Sequence, residues 1–192
     1  MGGSPPPRNR ASGSARFAVR PGMTRTLYLD VDGVVCPFGP DGASSWRSGW
    51  KYADAGLLPV AYAPELVDGL NGIAAMPGVR CVWLTSWEEL APQYLCPAIG
   101  LDGARWPYLT SAGTGSGKGW WKLRAIQDDV EAASPGGVAW IDDQLAFEAD
   151  AQSWIRLLGR RILAVSPDPR RGISPPELER IRSFLGQPLF LT

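Results

Sequence analysis

The chain contains no histidine. That removes the Ser-His-Asp triad, the Cys-His pair, the usual zinc ligand sets and imidazole acid–base chemistry together. Any general acid here must be a carboxylate, lysine, tyrosine or cysteine. Cysteine is sparse, with Cys36, Cys81 and Cys96 and no C-x-x-C pair. An odd, scattered count in a chain this long fits a reducing compartment rather than a disulfide framework. No run of 18 apolar residues exists, so no transmembrane helix is expected. The first residues lack the apolar centre of a secretory signal, and a cytoplasmic location is the expectation. Net charge is also missing: Lys+Arg and Asp+Glu number 19 each. There is no global basic field to attract nucleic acid, although a local patch remains compatible with this balance.

What is present is enough for one domain. A chain of 192 residues can bury a sizeable core. Residues 1–22, rich in Gly, Ser, Pro and Arg, read by composition as a disordered tail, with a basic arm for RNA or another polyanion as the functional alternative. Residues 23–192 read as a single domain.

Polar groups follow apolar runs in a repeated way. Leu27-Tyr-Leu29 reads as a buried strand and ends in Asp30-Val-Asp32-Gly33. Residues i and i+2 share a side while the strand lasts, so the two carboxylates repel each other. A hard cation such as Mg²⁺ relieves that repulsion, and Gly33 permits a sharp turn. The alternative for this motif alone is a solvated acidic turn. Cys81-Val-Trp-Leu84 ends in Thr85-Ser86, and Gly137-Val-Ala-Trp-Ile141 ends in Asp142-Asp143. Lys122 lies in a helix-like stretch that precedes Asp142 by the length of a helix, a turn and a strand. In an open parallel α/β sheet, groups just past the strands' carboxyl ends converge on one ligand site.

Between these motifs, residues 63–76 carry apolar residues at helical spacing after Pro64. Residues 87–99 read as a helix opened by Ser86 as N-cap, with Glu89 completing a capping box and with Pro92 and Pro97 making it irregular. Residues 105–109 read as a short strand, 119–132 as a helix, 161–165 as the last strand, and Ser174-Pro175-Pro-Glu177 as the cap of a final helix. Residues 34–58, rich in Gly, Ser and Trp, read as a small flap. Its Trp46, Trp50 and Tyr52, interleaved with Arg47 and Lys51, either pack the flap, the favoured reading, or stack on a base or sugar. Gly113-Thr-Gly-Ser-Gly-Lys118 imitates a phosphate-binding loop but fails it. Ala112 stands where the first glycine belongs and Gly119 where the Ser/Thr belongs, so the segment reads as a flexible loop.

The order of acid pair, hydroxyl, lysine and acid pair resembles the haloacid dehalogenase (HAD) superfamily of aspartate-nucleophile phosphatases and phosphotransferases. The wording D-V-D-G-V, L-T-S-W-E, W-I-D-D and D-P-R-R-G-I-S is similar to the phosphatase-like domain of Swiss army knife RNA-repair proteins. The resemblance implies a three-layer α/β/α Rossmann-like fold with a central parallel sheet and only a small flap as cap. It implies Asp30 as nucleophile and Asp32 as acid–base, with Thr85 or its neighbour Ser86 and Lys122 or Lys118 cradling the phosphoryl group near Gly33. Mg²⁺ would be held by Asp30, the backbone carbonyl of Asp32 and Asp142, with Asp143 orienting a ligand or water. Dehalogenases of the superfamily lack the second aspartate, so Asp32 argues for phosphate chemistry. The implied partner is a phosphorylated substrate, a small molecule or a nucleic-acid end, and no membrane. A phosphotransferase and a non-catalytic nucleotide- or nucleic-acid-binding module are the alternatives.

Overall fold

The computed structural model describes residues 24–40, 44–56, 58–112 and 119–187. The tail at 1–22 and Lys118 therefore lie outside the described residues. Four strands, β1 (Arg25–Leu29), β4 (Val79–Trp83), β5 (Gly137–Ile141) and β6 (Ile162–Val165), form a parallel sheet in the order β4-β1-β5-β6. The intervening β2 (Lys51–Asp54) and β3 (Pro59–Tyr62) pair as a separate antiparallel hairpin. Because β1 lies between β4 and β5, the chain leaves it to one side and later returns on the other, which opens a crevice at its carboxyl end.

Burial on both sheet faces explains the near-continuous apolar strands. Leu27, Leu29, Trp83 and Ile141 enter one core with α1 (Pro64–Ala74) and α5 (Pro175–Gly186), whose Leu66, Leu70, Ile73, Leu178 and Ile181 are buried there. Tyr28, Val82, Leu84 and Trp140 point the other way, against Leu123 and Ile126 of α3 (Trp121–Ala133) and Ala151 of α4 (Ala149–Leu158). The alternation is the period of two expected of a strand, and the result is helix, sheet, helix in three layers.

Two expected elements differ. The helix expected over 87–99 does not start at Ser86: residues 86–89 form turns, with Glu88 at φ 46°. A widened helical turn follows at Ala91–Leu95 and then α2 (Cys96–Ile99). Proline is tolerated only in the first turn of a helix. Pro92 and Pro97 each occupy such a position, and that constraint overrides the Ser86 and Glu89 cap. The strand expected over 105–109 is reduced to one bridge, Trp83 with Tyr108, because Pro107 has no N–H to extend the ladder. At α5 the cap forms as read: the Ser174 hydroxyl and N–H both meet the Glu177 carboxylate.

The β2–β3 hairpin ends at Tyr62, past the 34–58 bounds expected for the flap. Trp46 and Trp50 pack against the main core, and the Trp46 indole N–H donates to the Ile173 carbonyl across 3.1 Å. Tyr52 does not join them and is 71% exposed. Among the described residues, no helix is long and apolar enough to cross a membrane.

Candidate active site

The three strand ends deliver their polar residues to one place. Asp30 follows β1, Thr85 follows β4 one residue on, and Asp142 follows β5. Ladder bonds fix Asp30 and Asp142 directly and Thr85 through its neighbour: Asp30 N–H donates to Ile141 O, Asp142 N–H to Val165 O, and Leu84 N–H to Leu29 O. Asp30, Thr85 and Asp142 are buried, which is tolerable only because each has partners.

The strongest of those partners is Lys122. Its ammonium donates to Asp30 Oδ2 across 2.6 Å and to Asp142 Oδ2 across 2.7 Å. The side chain comes from the first turn of α3 and the residue is 5% exposed. Burial alone would lower the Lys122 pKa, but the charges of Asp30 and Asp142 outweigh it and the net shift is upward. The lysine is therefore a fixed cation. The remaining oxygens are also held: Val31 N–H donates to Asp30 Oδ1 across 2.7 Å, and Gln144 N–H to Asp142 Oδ1 across 2.9 Å. Such buried, charge-assisted bonds leave the carboxylates little rotational freedom.

Asp143 completes a cluster. Oxygens of Asp30, Asp142 and Asp143 lie within 4.8 Å of one another. One lysine does not balance three carboxylates. Burial, and after it the Asp30 charge, pushes the Asp142 and Asp143 carboxyls above their usual range, with Lys122 opposing. A compact set of hard oxygen donors carrying excess negative charge fits a hard divalent cation. Gly33 belongs to the same construction. It has φ +71°, and a Cβ there would sit 2.8 Å from Asp143 Oδ2. Only glycine fits both the turn and that approach.

The Asp32 carboxylate stands apart from this cluster. The Trp87 indole N–H donates to its Oδ2 across 2.9 Å. Burial raises the Asp32 pKa, the Trp87 bond opposes that rise, and the neighbouring Asp30 charge adds to it. The two neighbouring carboxyls are thus held in unlike environments, Asp30 by the Lys122 ammonium and Asp32 by the Trp87 indole. Trp87 is not visible as a site residue in the sequence, where it reads as part of a helix. The L-T-S-W-E wording marks it only by position.

A polar cavity of about 250 Å³ opens over these groups. Its wall includes Asp30, Asp32, Ser86, Lys122, Asp143 and Gln144. Ser86 is exposed on this wall, whereas Thr85 is fully buried behind it and its Oγ1 accepts from the Trp87 N–H at 3.3 Å. Trp120 lines the cavity as well, with its ring 5.8 Å from the Lys122 ammonium and stacked on Trp140. The arrangement places two carboxyls, Asp30 and Asp32, and the Lys122 ammonium on one small volume, with Asp143 of the acidic cluster on the same wall.

The sequence profile of the HAD domain in Swiss Army Knife RNA repair proteins matches residues 26–178. No curated protein sequence matches the chain. Among solved structures, the HAD domain of the effector protein Lem4 from Legionella pneumophila is similar, with a TM-score of 0.55 at 13% identity. The match covers 86% of this chain and 97% of that one, and at such identity it speaks to the fold alone.

Proposed function

This chain belongs to the HAD domains of Swiss Army Knife RNA repair proteins, and on that footing we propose that it is a Mg²⁺-dependent phosphomonoester hydrolase working through an aspartyl-phosphate on Asp30. The observation that carries the reading is the bridge from Lys122 to Asp30 and Asp142, with the Asp32 carboxyl beside it on the same cavity.

Asp30 attacks phosphorus in line with the ester oxygen, forming a P–O bond to its carboxylate as the P–O bond to the alcohol breaks. Asp32, held by Trp87, gives its proton to the departing alkoxide. It then takes a proton from the water that cleaves the acyl phosphate, which returns both carboxyls to their starting states. Lys122 offsets charge on the phosphoryl oxygens, and Ser86 offers them a hydroxyl from the wall. Thr85, behind the wall, keeps the turn that carries Ser86 and Trp87. Asp30, Asp142 and Asp143 would hold Mg²⁺, together with the Asp32 carbonyl that the family resemblance adds. When bound, the ion supplies Lewis-acid charge neutralisation for the phosphoryl oxygens. The small hairpin leaves the cavity open, which suits a nucleic-acid end as well as a nucleotide.

The test is phosphate release from p-nitrophenyl phosphate and a panel including 3′- and 5′-phosphorylated RNA, with and without Mg²⁺, for the wild type and Asp30→Asn. The expected outcome is release that requires both Mg²⁺ and Asp30. A folded, Mg²⁺-binding protein that releases no phosphate from any ester would point to a binding module instead.

A further inference from the structure

A second cavity adjoins the polar one and has a mostly apolar wall. It has a volume of about 290 Å³ and lies between the loop after Gly33 and the β2–β3 hairpin, with Phe38, Tyr52, Leu58 and Val60 on its wall. Asp32 and Phe38 border both cavities. Among the described residues, Asp32 is the only charged one that lines the apolar cavity. Phe38 is 55% exposed and Tyr52 71% exposed, although Trp46 and Trp50 of the same segment found places against the core. Two rings left in solvent across one small pocket, beside a catalytic centre, are unlike the scattered exposed apolar residues of an ordinary surface.

The geometry points to a leaving-group site, and this inference rests on the phosphatase reading above. With the phosphoryl group over Asp30 and Lys122, the ester oxygen that takes the Asp32 proton lies at the junction of the two cavities. The alcohol it belongs to then extends between Phe38 and Tyr52. A pocket of this size admits one ring system rather than a folded partner. Its apolar wall and single carboxylate favour an uncharged group over a second phosphate or a carboxylate. Two aromatic residues on the wall favour a flat ring. The substrate is therefore a phosphomonoester whose alcohol carries an uncharged flat ring, the chemistry of a nucleobase, with Phe38 and Tyr52 as specificity-determining residues. A free nucleotide and the terminal nucleotide of a strand share that chemistry.

The experiment compares esters that differ in the ring alone. The kcat/KM values for nucleoside 5′-monophosphates and for ribose 5-phosphate share one leaving oxygen, and 3′-phosphorylated dinucleotides provide the strand-end arm. A preference of about tenfold or more for the base-bearing ester is expected from stacking. It should fall toward one in Tyr52→Ala and in Phe38→Ala. Both side chains are mostly exposed, so neither variant is expected to unfold. In parallel, binding of the same pairs to Asp30→Asn is followed by calorimetry. Hydrolysis without a ring preference, or with one that survives both substitutions, overturns the inference and leaves the phosphatase reading standing. No hydrolysis, but a ring preference in binding that depends on Tyr52, overturns the phosphatase reading and supports the pocket. A higher kcat/KM for the 3′-phosphorylated dinucleotide than for the matching nucleoside 3′-monophosphate assigns the ring to a strand end, and the reverse order assigns it to a free nucleotide.

Discussion

The indole N–H of Trp87 points at Asp32 Oδ2 from 2.9 Å, so the side chain that fixes the second carboxylate comes from the turn after β4 rather than from the Asp30 loop itself. A donor aimed at a carboxylate restricts where that carboxylate can deliver a proton. Trp87→Phe removes the donor and keeps an aromatic ring in the buried position. The need for a proton depends on the leaving group: p-nitrophenolate departs without one, whereas an alkoxide does not. Hence kcat/KM for an alkyl phosphate should drop by about tenfold or more in Trp87→Phe, while p-nitrophenyl phosphate is nearly spared. Equal losses for both esters would assign Trp87 a structural role only.

Lys122 makes a different prediction, because its removal leaves Asp30 and Asp142 facing each other without a cation. Lys122→Met should cost roughly 3 kcal/mol or more of stability when no divalent ion is present. Mg²⁺ should narrow the gap, since a ligand that binds only the folded state stabilises it in proportion to occupancy. Thermal melts of both proteins, with and without Mg²⁺, check this. Activity should fall by about a hundredfold or more even at saturating Mg²⁺.

At Gly33, conformation and contact act together. Alanine there must adopt φ +71° and place its Cβ 2.8 Å from Asp143 Oδ2. Gly33→Ala should destabilise the fold by about 1–2 kcal/mol from the backbone alone. It should also weaken Mg²⁺ binding, because Asp143 has to move. A calorimetric Mg²⁺ titration separates the two effects, and an unchanged affinity would detach Asp143 from the metal site.

Away from the site, the Arg80 guanidinium grips Asp129 at 2.6 and 2.9 Å, and the Tyr28 hydroxyl donates to the same carboxylate. Burial would raise the Asp129 pKa, but the bonds from Arg80 and Tyr28 outweigh it and the net shift is downward. The unfolded chain has the ordinary value, near 4. Asp129 thus stabilises the fold fully above that value, and the contribution fades as pH falls through the lower, folded one. Asp129→Asn should destabilise the protein at pH 7 by about 1–3 kcal/mol. The difference from wild type should shrink below about pH 4, as read from denaturant unfolding across pH.

Much of this site was legible in the sequence because the fold writes it in a simple form: an apolar run, then a polar residue at the strand's end. Asp30 and Asp142 are found that way, whereas Lys122, on a helix, stands out only through the family's motif order; the structure brings all three within hydrogen-bonding distance. Side-chain donors from other loops are not written so. The Trp87 bond depends on the turns at 86–89, and those turns depend on Pro92 forcing the helix to begin late. The Ser86 and Glu89 spacing gave a local signal for a cap, and a proline a few residues on decided otherwise. Likewise, interleaved aromatic and basic residues in the flap did not reveal that Trp46 and Trp50 would be drawn into the core while Tyr52 stayed outside. That division depends on contacts distant in sequence, such as the bond from Trp46 to Ile173.

In the proposed reaction Asp30 itself carries the phosphoryl group. Rapid acid quench during Mg²⁺-supported turnover, followed by borohydride reduction and peptide mass spectrometry, reads this directly, because an acyl phosphate at Asp30 is reduced to homoserine at that position. The modified residue is expected at position 30 alone, and is expected to be absent when substrate or Mg²⁺ is omitted. Steady turnover with an unmodified Asp30, or turnover that persists in Asp30→Asn, would contradict that role for Asp30.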